Sequence, residues 1–594
     1  MLKSIYMKSV LKKSCQYHSL TGGQVIYKKL LEKKVKDVFI YTGGAVMPLV
    51  DSFYKGEINY FLNTHEQSGG HAATGYAKSS GKPGISIVTS GPGITNSLTP
   101  LTDATNDSTP LIVFSGNVPL SVMGTNAFQE CPAVEITKPV TKWSYCVKDV
   151  NELPYVVDEA FKVSTHGKKG SVHIDLPKCV LVSKYESNKT VNSNYNELED
   201  HKDMSFSSYN KEYISYLINK SKKPILIVGQ GCNDYSESLR KFVIKGNIPV
   251  TTTIHAMGVF DETHYLSLDF LGMHGSVYSN YAVQNADLII ALGTRFDDRI
   301  TGNVKKYAPK AFEAFKNGRG GIIHVNKNQK EIGSIVDSHY NFNVDCGDFL
   351  DNIKVDYIER NKWFEDINKW KIENPFMYNV SKERLSTQEV ICEINNFLID
   401  RKNYIITTGV GNHQMMSAQF IKWRYPKTFI SSGSLGVMGV GLPYAIGCQI
   451  ANPNKLVIDI DGDGSFNHTL AELKTVQNYN LPIKIAILND TNFSMVRAWE
   501  QLFFNENYTA TDLKKNPDYV ALAESFGIKG LKCDNINDLS STIDNFLNYD
   551  KAILCEFKVD SSLCLPLVSP GAGLDEIIKF GDKDININTD LPPN

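Results

Sequence analysis

Short, nearly uninterrupted apolar runs alternate with stretches of helical period along most of the chain. In the first third the runs are Val38–Tyr41, Gly84–Thr89, Leu111–Ser115 and Ser171–Asp175, with another at Tyr60 leading into a glycine-rich helix start. In the middle they are Pro224–Val228, Leu288–Leu292 and Gly321–Val325. The last third has Tyr404–Thr407, Leu456–Ile460, Ile483–Leu488 and Ile553–Phe557. A short apolar run between helical patterns reads as a strand buried on both faces, and strand–helix alternation predicts parallel sheets. Three such series predict an α/β protein of three doubly wound parallel-sheet domains.

Two polar stretches punctuate the series. Lys184–Asn210 is rich in Ser, Asn, Glu and Tyr without a hydrophobic period, and Tyr357–Thr387 is charged, aromatic and partly helical. Read as linkers, they set the expected organisation: an N-terminal extension over 1–20, domains over 21–183, 211–356 and 388–560, linkers over 184–210 and 357–387, and a tail over 561–594.

Composition narrows the class. A chain of 594 residues exceeds one core. Hydrophobic content of 42% with mildly negative mean hydropathy describes a soluble globular protein. A net charge of −2 gives no footprint for nucleic acid. No apolar run approaches the roughly 18 residues a membrane span needs. Eleven cysteines without a Cys-x-x-Cys pair point to reduced thiols in an intracellular protein rather than to a disulfide or zinc framework. The first twenty residues carry four lysines and no acid, so they read as an organellar transit segment or as a basic tail, and localisation stays open between mitochondrion (or another organelle) and cytoplasm.

Candidate chemistry lies where strands end. The run Leu456–Ile460 stops at Gly462-Asp463-Gly464, and the next run, after one helix, stops at Asn489-Asp490. Both acidic turns then fall at the carboxyl ends of neighbouring parallel strands. Glycines flanking Asp463 allow close backbone approach, and the following helix offers free N–H groups to an anion. Hard oxygen donors beside such a helix end suit Mg²⁺ holding a diphosphate; the plain alternative is an ordinary βαβ turn. Glu66, in His65-Glu66-Gln67, is either a helix-start charge or a functional carboxyl at a strand mouth. In Leu271–Arg299, His274 lies in a glycine-marked loop, and Arg295 and Arg299 follow a buried strand, as phosphate recognition or surface ion pairs would require.

From Thr21 to Ile578 these motifs, in this order, resemble the acetolactate (acetohydroxyacid) synthases, a branch of the thiamine-diphosphate enzymes. The resemblance implies a pyrimidine-binding first domain, an FAD-binding central domain and a diphosphate-binding third domain. It places the thiamine-activating glutamate at Glu66, and Mg²⁺ on Asp463, Asp490 and the backbone carbonyl of Asn492. Gly44, His413, Gln414, Gly436, Met438, Gly462, Gly464, Ser465 and Met495 would contact thiamine diphosphate, with Met438 propping its bent shape. Phe128 and Gln129 would stand against the reacting substrate, Lys178 at its channel, and Trp499 in the pocket for the second 2-oxo acid. FAD would take Lys168, His274, Gly275, Arg295, Asp297, Arg299 and Asn326, by a mode without the G-x-G-x-x-G fingerprint, which the chain lacks.

The implied activity is decarboxylation of pyruvate and ligation of the two-carbon unit to pyruvate or 2-oxobutanoate, in valine, leucine and isoleucine synthesis. The implied assembly is a homodimer or homotetramer whose site is shared across subunits, open to a separate regulatory subunit. The alternatives are a FAD-independent synthase, a flavin-dependent pyruvate oxidase and a catalytically decayed relative. Departures from the family pattern fall at Asp490 (usually Asn), Ser494 (Gly), Asn412 (Gln), Lys168 (Arg) and Val325-Asn326-Lys327-Asn328 (Ile-Asp-Ile-Asp).

Overall fold

A computed structural model describes residues 19–186, 208–380 and 384–582. The expected extension over 1–20, most of the 184–210 linker and the end of the tail therefore fall outside the described residues.

Three all-parallel sheets carry the chain. The first contains β1 (Asp37–Ile40), β2 (Asn59–Leu62), β3 (Gly84–Val88), β4 (Leu111–Asn117), β5 (Trp143–Cys146) and β6 (Ser171–Pro177), in the order 2-1-3-4-6-5. The second contains β7 (Pro224–Val228), β8 (Val250–Thr252), β9 (Ser267–Phe270), β10 (Leu288–Leu292), β11 (Gly321–Val325) and β12 (Tyr340–Phe342), in the order 12-11-10-7-8-9. The third runs 13-19-17-16-14-15 through β13 (Leu385–Ser386), β14 (Tyr404–Thr408), β15 (Phe429–Ile430), β16 (Leu456–Gly462), β17 (Lys484–Asn489) and β19 (Ile553–Asp560), with β18 (Lys529–Cys533) paired to β19. The chain switches to the other side of an earlier strand between β1 and β3, β7 and β10, and β14 and β16. Ligands of doubly wound sheets bind at such reversals, beyond the carboxyl ends of the strands.

The apolar runs form strands because both faces are covered. On β7, Leu226 and Val228 point into one core and Ile225 and Ile227 into another; Leu288, Ile290 and Leu292 of β10 alternate with Ile289 and Ala291 in the same way. Helix starts follow local chemistry. Thr21 and Gln24 form a reciprocal capping box for the helix Gly22–Glu32, as Ser386 and Glu389 do for Thr387–Leu398.

The chain packs as two compact units. Among the described residues, one takes 19–186 with 434–455 and 469–483; the other takes 208–380, 384–433, 456–468 and 484–582. In the first, the helix Glu66–Ser80 packs on the helix Gly441–Ala451 at glycine contacts. A Cβ on Gly447 would lie 1.8 Å from Ala72 O, and one on Gly75 2.5 Å from Tyr444 O. In the second, the stretch after β19, read from sequence as a tail, forms a hairpin of β20 (Leu567–Val568) and β21 (Ile577–Ile578). Its Val568, Leu574 and Ile577 enter a core of the central sheet, with Trp363 and Ile367 from the helix Asn361–Glu373 inside the expected linker. No helix among the described residues is long and apolar enough to cross a membrane.

Candidate functional site

In the first unit, Gly44, Glu66, Asn96, the 128–129 pair and Lys178 follow the carboxyl ends of β1, β2, β3, β4 and β6. Glu66 opens the helix Glu66–Ser80 and is buried; its Oε2 accepts a bond from Asn96 Nδ2 at 3.0 Å. His65 caps the same helix, its Nδ1 accepting the Gln67 N–H at 3.1 Å. Asn96 ends the short helix Pro92–Asn96, which begins after Gly91 at φ +58°. Asn96 was not among the residues that sequence reasoning singled out, because a carboxamide thirty positions away carries no signal that it will face Glu66. Just ahead of Glu66, Asn63 and Thr64 bond the buried carboxylate of Glu472, at 3.1 Å from Asn63 Nδ2 and 2.9 Å from the Thr64 N–H. Phe128 is exposed, Gln129 half-buried, and Lys178 exposed at the start of the helix Lys178–Val182. Gly44 is exposed, with nothing within 4 Å of an added Cβ. Lys168 is half-buried in this unit, as is Met438, while Gly436 is exposed at φ +70°.

In the second unit, Asp463 and Asp490 stand at the ends of β16 and β17. Asp463 is almost fully buried, and burial together with the charge of Asp490 pushes its carboxyl well above the usual range; burial also raises Asp490. A buried carboxylate whose proton affinity is raised by a neighbouring carboxylate forms a site that favours a divalent cation. Asn516 links Asp463 to the residue before Asp490, donating to Asp463 Oδ2 at 2.5 Å and to Asn489 Oδ1 at 3.2 Å. Sequence reasoning missed Asn516 as well: it lies in an irregular loop without hydrophobic period. Asn492 folds back on Asp490, its N–H on Oδ1 at 3.1 Å and its Nδ2 on the backbone carbonyl at 2.7 Å. Ser494 donates its hydroxyl to the other oxygen of Asp490. The two departures from the family pattern at 490 and 494 are therefore one feature, a serine donor supplied for the additional carboxylate oxygen.

The same ends meet β14 at the sheet's reversal. His413, in the first turn of the helix Asn412–Phe420, brings Nε2 to 3.3 Å from Asp461 Oδ1. A Cβ on Gly409 would strike Asp461 Oδ1 at 2.0 Å, and one on Gly462 would meet His413 Nδ1 at 2.7 Å. Gln414 is engaged with Ser431 Oγ at 2.7 Å and Ser432 O at 2.9 Å. Gly464 and Ser465 are buried in the turn after Asp463. Met495 and Trp499 lie half-buried one helical turn apart on the helix Ser494–Phe503, with Trp499 edge-on to Phe503 at 5.3 Å. Among the described residues no three His, Cys, Asp or Glu side chains group to hold a metal. The Asp463–Asp490 pair with a backbone carbonyl leaves the remaining positions of an oxygen shell to a diphosphate and water, so the donor set fits Mg²⁺ on thiamine diphosphate.

At the reversal of the central sheet, Gly229 and Gly293 bring the loops after β7 and β10 into contact: a Cβ on Gly229 would lie 2.2 Å from Gly293 O. His274 is buried with an unpartnered Nδ1, and burial lowers its pKa to about 4, so the ring is neutral at physiological pH. Gly275 closes the turn beside it, too near Leu271 for a Cβ. Arg295 pairs with Asp297 at 3.4 Å, and Arg299 with Asp298 at 3.3 Å. Asn326 turns inward, Nδ2 on Thr294 O at 2.9 Å and Oδ1 accepting the Asn328 N–H at 2.9 Å. An aspartate at 326 could not donate to Thr294 O and would leave one oxygen free; this amide uses both of its atoms within the protein. The unpartnered Nδ1 of His274 and the two arginines would suit the phosphates of a flavin dinucleotide.

Three sequence families match in chain order: the N-terminal TPP binding domain of thiamine pyrophosphate enzymes over residues 20–136, their central domain over 212–353, and their C-terminal TPP binding domain over 409–557. Among curated relatives, the mitochondrial acetolactate synthase catalytic subunit of Saccharomyces cerevisiae is 43% identical over 588 residues, covering 96% of this chain and 85% of the relative. The mitochondrial acetolactate synthase of Schizosaccharomyces pombe is 41% identical, covering 96% and 88%. The acetolactate synthase large subunit of Cyanidium caldarium is 38% identical, covering 94% and 96%.

Proposed function

The chain belongs to the acetolactate synthases among the thiamine-diphosphate enzymes, and from that premise we propose how its residues divide the work. Thiamine diphosphate, when bound, supplies the electron sink that lets pyruvate lose CO₂ and its two-carbon unit join a second 2-oxo acid. Glu66 holds a proton toward the aminopyrimidine, and Asn96 fixes which oxygen it presents. Asp463, Asp490 and the carbonyl of Asn492 hold Mg²⁺, while His413, oriented by Asp461, faces the diphosphate. Phe128, Gln129, Lys178 and Trp499 bind the 2-oxo acids and keep water from the reacting carbon, which would otherwise be protonated and released as acetaldehyde.

The observation that carries this reading is the buried Asp463–Asp490 pair at the β14/β16 reversal, held by Asn516 and Ser494. FAD belongs to the central sheet in a structural role, since carboligation has no net redox step. The names of relatives, catalytic subunit and large subunit among them, support a separate regulatory subunit, and those named mitochondrial support an organellar site of action.

The test is acetolactate formation from pyruvate by the purified protein, omitting thiamine diphosphate, Mg²⁺ and FAD in turn while following oxygen. Acetolactate that disappears without thiamine diphosphate or Mg²⁺, with no oxygen consumed, is expected. Oxygen uptake with acetate as product would overturn the reading in favour of an oxidase.

A further inference from the structure

Gly124–Glu130 has no regular structure, yet its conformation is tightly determined. Asn126 and Gln129 both occupy the left-handed backbone region, at φ 58° and 60°, where residues other than glycine are uncommon and a functional constraint is the usual reason. The carboxylate of Glu130 closes the loop. It accepts the backbone N–H of Ala127 at 3.0 Å and that of Gly124, while its own N–H donates to Ala127 O at 2.9 Å. An anion in a curl of successive N–H groups is a backbone nest. These bonds hold the Glu130 carboxyl below the usual range, so it stays ionised at physiological pH.

Two consequences follow for the neighbours. Phe128 is held 87% exposed, against the tendency of a large apolar side chain to fold down. The Gln129 backbone is seated on the turn at Gly91, where a Cβ would lie 2.9 Å from Gln129 O. That turn opens the helix whose last residue, Asn96, bonds Glu66.

We propose that Glu130 is a positioning residue for substrate binding. It presents Phe128 and Gln129 to the incoming 2-oxo acid by folding the loop around its carboxylate, without touching substrate itself. This rests on the substrate-facing role given to Phe128 and Gln129 above.

The experiment compares Glu130→Ala, Glu130→Gln and Gln129→Ala in the full chain with thiamine diphosphate, Mg²⁺ and FAD. Glu130→Ala is expected to lower kcat/KM for pyruvate about tenfold or more and to divert product toward acetaldehyde, with Tm and thiamine-diphosphate affinity unchanged. Glu130→Gln keeps one acceptor oxygen and is expected to recover part of the loss. Hydrogen exchange at Gly124 and Ala127 is expected to quicken in both variants, without change elsewhere in the first unit.

Normal kcat/KM in Glu130→Ala, with Gln129→Ala impaired, would show the nest to be dispensable and overturn the proposal. Normal kinetics in both would place the fault in the role given to the loop itself. If Glu130→Ala does not fold, Glu130→Gln decides: unchanged exchange at Gly124 and Ala127 with unchanged kcat/KM overturns the proposal.

Discussion

Asp175, at the carboxyl end of β6, is a buried acid outside the proposed chemistry. Asn117 Nδ2 donates to it at 2.7 Å and Ser115 Oγ at 3.0 Å, but burial outweighs these bonds and raises its pKa from 3.8 to about 6. Glu135 adds repulsion. A folded-state pKa above the unfolded one means the fold holds the proton more tightly. The stability this contributes is complete below pH 3.8 and is lost as pH rises through about 6. The displacement is worth roughly 3 kcal/mol. Asp175→Asn cannot titrate, and Ser115 can turn its hydroxyl to accept from the new amide. Relative to the unmutated chain, the variant should therefore gain stability between pH 4 and 6.5; parallel denaturation curves at every pH would refute this. At this scale the sequence told unevenly. Glu66, Asp463 and His413 were legible because each sits in a motif at a strand end. Asn96, Asn516 and Glu130 were not, because their importance is a contact made by folding, thirty positions from Glu66 and fifty-three from Asp463 in the first two cases. The pairing of Ser494 with Asp490 likewise turns two separate departures into one compensated change.

Elements were legible in proportion to how fully they are buried. β7, β10 and β11 match their apolar runs residue for residue, since both faces meet a core. β5 is half-buried throughout and β18 has a single buried residue, Cys533, so neither has an apolar run to find. β9 is buried but alternates Ser267 and Asp269 with Leu268 and Phe270, too short an alternation to stand out, and neighbouring hydroxyls bond its carbonyls, Thr251 Oγ1 to Asp269 O at 2.9 Å and Ser276 Oγ to Leu268 O at 2.8 Å. Glycines divide in the same way between packing and function. Gly447→Ala would press a methyl carbon against Ala72 O at 1.8 Å, in a contact between two helix backbones with little room to yield. It should cost about 1–3 kcal/mol or more, read as a lowered Tm. Gly44→Ala meets open space, so its Tm should match the unmutated chain while its affinity for thiamine diphosphate falls. A stable Gly447→Ala variant would show that the helix pair packs more loosely than described. A Gly44→Ala variant with full cofactor affinity would remove Gly44 from the binding loop.

At the scale of the molecule, three parallel sheets could be read from alternating runs. The division into units could not. Residues 434–455 and 469–483 lie between strands of the third sheet yet pack with the first unit, the former through backbone contacts at Gly75 and Gly447 and the latter through hydrogen bonds of Glu472 and Tyr479 to residues 62–64, none of which leaves a hydrophobic period. Within the proposed function, Glu66 in the first unit and Asp463 in the second serve one cofactor, and the family pattern assigns them to different subunits of a symmetric dimer. That assignment has a consequence no single variant can show. Glu66→Gln and Asp463→Asn should each be inactive alone. In a mixed dimer, one site inherits both lesions and the other inherits none. Co-expressed in equal amounts, the two inactive chains should regain about one quarter of full activity, because half of randomly paired dimers are mixed and each has one intact site. If each site drew Glu66 and Asp463 from the same chain, every site in the mixture would carry a lesion and activity would stay at zero. The recovered fraction therefore separates a shared site from a self-contained one, and size-exclusion chromatography with light scattering on the same sample checks that the chains pair.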